Sequence, residues 1–257
     1  MKRRELLDAL FYLLAFAGIQ CLVTLVAVLV CQTHDFTPMV TIVVSLVSSA
    51  ATIGLFAWRK WTPYDGSYIN TRPWATLFWV ACLAVGCMAP VSFATEELGF
   101  RLSPDEERLL GGLMNHDLGF LAVGILAPLA EEMVFRGAIL RCLDNVLGAR
   151  LRWAAIVVSA LLFGVVHGNM AQGFGAFVLG IALGWMYLRT GSIVPGVVFH
   201  WVNNSIAVFV YRLMPGAADL TLTEFYGGDM KRVAAVLCFS LMVAGAAVYQ
   251  LNLRLRR

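Results

Sequence analysis

Long apolar runs alternate with short polar links along the whole chain, and eight of the runs approach the ~20 residues a helix needs to cross a bilayer. They cover residues 8–31, 38–58, 73–93, 118–140, 153–169, 173–189, 193–212 and 233–252. The fifth, sixth and seventh are separated only by short links such as "NMAQG" and "RTGS". The pattern predicts an all-α fold, a polytopic bundle of about eight transmembrane helices forming one integral membrane domain over residues 1–257. Residues 1–117 then hold three spans and an external segment, 118–212 the core that carries the polar residues discussed below, and 213–257 an external loop and the last span.

Composition agrees with this reading. The chain is 60% hydrophobic and 14% charged, where a soluble domain of similar length is about half apolar and about a quarter charged. That excludes an ordinary soluble enzyme. The opening "MKRRE" is basic like the start of a signal peptide, but the apolar run behind it is too long and no small-residue cleavage site follows. An uncleaved first helix is expected.

Basic residues set the orientation. Eight spans put Lys2, Arg3, Arg4, Arg59, Lys60, Arg72, Arg141, Arg150, Arg152, Arg189, Arg254, Arg256 and Arg257 on the side of the two termini. The other side receives only Arg101, Arg108, Arg212, Lys231 and Arg232. Both termini are therefore expected in the cytoplasm, with a bacterial cytoplasmic membrane as the setting. The net charge of +3 is mostly this asymmetry and carries no nucleic-acid reading. The six cysteines lie in or at the edge of apolar runs and form no CxxC pair, which suits small buried hydrophobes better than disulfides or a thiolate metal site. The external stretch 94–117 reads either as a surface-lying amphipathic helix or as a solvated acidic loop.

Few strongly polar residues fall well inside the runs, and intramembrane ionisable groups usually mark function because burying them is costly. The fourth span carries Glu131, Glu132 and Arg136, the fifth His167, and the seventh His200, Asn203 and Asn204. Glu132 and Arg136 are one helical turn apart in the favourable order, so they can neutralise each other. Glu131 points about 100° away and is left without an obvious partner. Pro128 can open or bend the helix just upstream. His200 and Asn204 share a face one turn apart, and Asn203 lies beside them. Phe163, one turn before His167, reads as packing. A carboxylate, two imidazoles and an amide form a general-base and oxyanion set; alternatively Glu131, His167 and His200 are three ligands of a Zn²⁺ with one open position. No HExxH is present. Glycines four apart, Gly164 with Gly168 and Gly180 with Gly184, permit close helix approach.

The segments "EEMVFR", "FGVVH" and "HWVNN", in this order on successive late spans, resemble the CAAX-protease and bacteriocin-processing (CPBP) family of intramembrane proteases, which includes the type II CAAX prenyl endopeptidases. The resemblance covers about residues 118–212. It implies a membrane peptide hydrolase in which Glu131 with His167 activates water and His200 with Asn204 stabilises the oxyanion. Glu132, Arg136, Phe163 and Asn203 support the site. Zn²⁺ and a metal-free, glutamate-activated water both stay open. The expected partners are the lipid bilayer and a peptide or protein substrate, either lipidated or a leader peptide, reached through an opening to the cytoplasm. Two rival readings are a catalytically silent immunity or peptide-binding scaffold and a proton-coupled carrier. Depth raises one conflict: His167 lies about 22 Å beyond Arg152 along a straight helix, too deep to meet Glu131 unless that helix is tilted or Arg150 and Arg152 lie outside the membrane.

Overall fold

A computed structural model of the chain describes residues 2–32, 36–63, 66–214 and 220–255. Its principal helices are α1 (Lys2–Cys31), α2 (Pro38–Trp58), α3 (Trp74–Glu97), α4 (Pro104–Met114), α5 (Asp117–Leu147), α6 (Arg152–Val165), α7 (Met170–Thr190), α8 (Val194–Leu213) and α9 (Met230–Arg254). No strand occurs among the described residues. All of these except α4 and α6 are long and apolar enough to cross a membrane, seven among the described residues. The chain is an integral membrane protein built as a helical bundle.

The expected fifth span differs from the observed α6. It is a helix, but of 14 residues, about 21 Å long, which is below the length required by a full crossing. The apolar run hides the stop. Gly168 adopts φ +77°, and the Asn169 side chain accepts from Gln172 N at 2.9 Å to cap the next helix. α6 and α7 therefore form a tight hairpin with His167 at its tip. Their backbones touch where Gly164 faces Gly173: a Cβ on Gly164 would lie 2.7 Å from the Gly173 carbonyl oxygen.

The bundle has two distinct ends. At one, the start of α1 meets the end of α2 through Tyr12, Phe56 and Trp61, Arg141 donates to the Trp61 carbonyl at 2.9 Å, and Arg189 of α7 bonds Asn252 of α9. This is the terminal end, and it gathers the described members of the larger basic set; Arg256 and Arg257 lie outside the described residues. At the far end, Arg212 of α8 ties down the α4–α5 turn, donating to the carbonyls of Met114 and His116 at 2.7 and 2.8 Å and pairing with Asp117 at 2.9 Å.

Residues 104–114 form the surface helix rather than the acidic loop. Ser103 caps it and Glu106 reciprocates, a capping box. Asp105, Glu106 and Glu107 in the first turn complement the helix dipole. Ser103, first through its backbone N–H and then through its hydroxyl, holds the Glu106 carboxyl below the ordinary range.

Candidate active site

α5 places the carboxylates, and its backbone is not regular. Phe120–Leu126 and Met133–Leu140 are wound in wider π-type turns, a form that recurs at functional sites. In the first of them Ala127 N–H reaches back five residues to the Ala122 carbonyl. In that register residue 128 would serve Val123, but residue 128 is proline and has no N–H. Asn204 of α8 supplies the missing donor, its Nδ2 bonding the Val123 oxygen at 2.8 Å. Side chains, two from elsewhere in the chain and one from α5 itself, serve the second segment in the same way. Thr62 donates to the Met133 carbonyl, Ser159 to that of Phe135 at 2.9 Å, and Arg141 to that of Gly137 at 3.0 Å. Backbone polar groups cannot stay unpaired in hydrocarbon, so these donors make the unusual winding tolerable.

The two adjacent glutamates have opposite environments. Glu132 is fully buried and binds Arg136 Nη1 through Oε1 at 2.8 Å; the Arg136 side chain is 1% exposed. The guanidinium is sandwiched further, with Nη2 3.4 Å from the Gly180 carbonyl and its centre 4.3 Å above the Phe163 ring. Glu131 is 20% exposed, and no Lys or Arg among the described residues pairs with it. His200 stands between the two, Nε2 3.6 Å from Glu131 Oε2 and Nδ1 3.7 Å from Glu132 Oε1. Three buried atoms here have no hydrogen-bond partner among the described residues, Glu132 Oε2, Arg136 Nε and His200 Nδ1.

Phe163 does more than fill space. Its ring makes edge contacts with both imidazoles, centroids 5.0 Å from His167 and 5.8 Å from His200, while also carrying Arg136. His167 Nδ1 bonds the Phe163 carbonyl at 2.8 Å, which fixes the ring and presents Nε2 outward. Asn203 donates to Asn204 Oδ1 at 3.2 Å. Among the described residues no bond joins His167 to Glu131, and no three His, Cys, Asp or Glu side chains converge as metal ligands.

A cavity of about 690 Å³ is lined by Glu131, Phe163, His167, His200, Asn203 and Asn204 together. Its wall also takes in Thr95, Glu96, Leu110, Met114 and Gln172 toward the far end and Leu183 and Phe199 toward the terminal end. Met133–Leu140, which follow the glutamates along α5, are all buried and none of them lines it. This removes the depth conflict: the sites need not meet at one level measured from Arg152, because the cavity runs from Glu131 up to the hairpin tip.

Sequence reasoning missed Gly196, whose lack of a side chain makes room for the Glu132 carboxylate, and the donors Thr62 and Ser159. A hydroxyl or glycine in a membrane segment is too common to stand out.

The fold and the site thus define a membrane-embedded helical protein with a buried acid, imidazole and amide cluster. Residues 116–206 match the family model for type II CAAX prenyl endopeptidase Rce1-like proteins. The membrane-embedded CAAX protease MroQ of Staphylococcus aureus (strain USA300) is 26% identical over 148 residues, 56% of this chain and 60% of that protein. The chain therefore aligns with less than two thirds of that relative's length. No solved structure matches. The two matches support the CPBP/CAAX protease family for this chain.

Proposed function

We propose that the protein is an intramembrane endopeptidase that hydrolyses a peptide bond within or next to the bilayer with water activated by Glu131. The observation that carries this reading is the contrast between neighbours: Glu132 is sealed against Arg136, while Glu131 is 20% exposed in a cavity with His200 Nε2 at 3.6 Å. A carboxylate without a cation can accept a proton from water, and the water then attacks the scissile carbonyl. His200, which stands between the two glutamates, and the second N–H of the Asn204 amide stabilise the oxyanion of the tetrahedral intermediate. Glu131, assisted by His167, returns the proton to the leaving amine. The substrate is a peptide or protein segment, lipidated or a leader, entering from the far end of the bundle.

The test uses purified protein in liposomes with a membrane-anchored peptide reporter. Wild type cleaves it, and Glu131→Gln abolishes cleavage while its thermal unfolding stays unchanged. Retained cleavage in a folded Glu131→Gln variant removes Glu131 from the mechanism. Chelation leaves activity intact on this reading; loss on chelation, restored by Zn²⁺, favours the three-ligand alternative.

A further inference from the structure

A second cavity, of about 440 Å³, lies at the terminal end, where α3 begins and α7 and α9 finish. Tyr68, Arg72, Thr76, Arg189, Thr190 and Arg254 line it, with no acidic side chain among the described lining residues. Three guanidiniums therefore share one concavity. Their recorded side-chain partners are neutral: Arg189 bonds Asn252, and Arg254 bonds Gln250 at 3.3 Å. None of the three forms an ion pair with a described residue. Two donors at the cavity, Tyr68 Oη and Arg189 Nε, are shut off from solvent with no hydrogen-bond partner. Buried donors are normally satisfied, so unpaired ones beside guanidiniums that have no carboxylate partner among the described residues indicate an anionic acceptor.

We propose that this cavity binds the phosphate of an anionic phospholipid headgroup. Arginine guanidiniums match phosphate oxygens with paired donors, and Tyr68 Oη with Arg189 Nε, shut off and unpaired without a ligand, supplies the inner contacts once the two side chains turn toward the bound phosphate. The position selects a lipid as the source of the phosphate. The cavity sits where the helices leave the hydrocarbon, at the end that gathers the basic residues, and basic pockets between helix ends are suited to such headgroups. Trp74 and Phe78 on α3 and Tyr249 and Leu253 on α9, on the outer faces of the helices whose ends form it, are exposed at 64%, 61%, 64% and 44% and offer acyl chains an apolar surface. Trp74 has the interfacial position that aromatic belts occupy. The site is remote from the hydrolytic cavity and does not depend on the protease reading.

The experiment is native mass spectrometry and thermal unfolding of the full chain in neutral detergent, titrated with phosphatidylglycerol, phosphatidylcholine or inorganic phosphate. Phosphatidylglycerol is expected to give a retained adduct and a raised unfolding midpoint, and phosphatidylcholine neither. The pair Arg72→Met, Arg189→Met should weaken phosphatidylglycerol binding about tenfold or more, and Tyr68→Phe by a smaller factor, with both variants unfolding as wild type without lipid. A variant that does not fold is replaced by Arg72→Gln, Arg189→Gln. Equal phosphatidylglycerol binding by the folded arginine variants overturns the proposal. An equal midpoint shift with inorganic phosphate alone assigns the site to soluble phosphate and overturns the lipid source.

Discussion

Gly196 of α8 lies directly against the Glu132 carboxylate of α5: a Cβ at position 196 would overlap Oε2 and stand 3.1 Å from Cδ. The contact explains how a fully buried acid fits between two packed helices. It also means that the spacing between α5 and α8, and with it the distance from His200 to both glutamates, depends on a missing side chain.

Gly196→Ala should therefore injure the site without touching any polar group. Overpacking of this kind costs about 1–3 kcal/mol, and relief requires Glu132 to move away from Arg136 and His200. Reporter cleavage should fall at least tenfold, with a lowered unfolding midpoint. Wild-type activity in this variant would show that the carboxylate can shift freely.

The Glu132–Arg136 pair predicts an asymmetric mutant series. Removing one partner leaves an uncompensated charge in an apolar interior, a loss of about 3–5 kcal/mol. Glu132→Gln and Arg136→Met should each be strongly destabilised, whereas the double variant should recover most of the midpoint but no activity, since His200 loses its second carboxylate. Additive losses would show that the two residues act independently.

These cases mark what the sequence could and could not reveal. Glu131, Glu132, Arg136, His167, His200 and Asn204 were legible because charge and amide in a lipid-facing run are expensive enough to require a reason. The Glu132–Arg136 pairing followed from a spacing of four. The shortness of α6 was not legible, because "AAIVVSALLFGVVHG" remains apolar past the point where the helix stops, and only the left-handed Gly168 marks the turn. The π-type turns left no local signature either. Their stability rests on Thr62, Ser159 and Asn204, contributed from distant parts of the chain, and on a proline whose consequence depends on register.

Asn204 and Pro128 should be energetically coupled. Asn204→Ala strands the Val123 carbonyl in the bundle, at about 1–3 kcal/mol. Pro128→Ala restores a backbone N–H in the register that reaches Val123, so it should recover part of that loss in the Asn204→Ala background. A double-mutant cycle on unfolding midpoints measures the term, and stability is the proper readout because Asn204→Ala also removes an oxyanion donor. A cycle that closes with no coupling would mean that Val123 finds its partner elsewhere.

The direction of the cavity leads to the last prediction. The charge asymmetry favours a cytoplasmic terminal end, and the hydrolytic cavity is walled by Thr95, Glu96, Leu110, Met114 and Gln172 at the other end. Substrate should then arrive from the non-cytoplasmic face. Single cysteines placed at Glu107 and Gln172, in a background with the six native cysteines replaced, should react with a membrane-impermeant maleimide in intact cells, while a cysteine at Lys60 should react only after permeabilisation. Glu107 reports the orientation of the bundle and Gln172 that of the cavity wall, so the two positions must agree. Labelling at Lys60 alone in intact cells would invert the molecule, bring the cavity to the cytoplasm, and make this chain an exception to the charge rule.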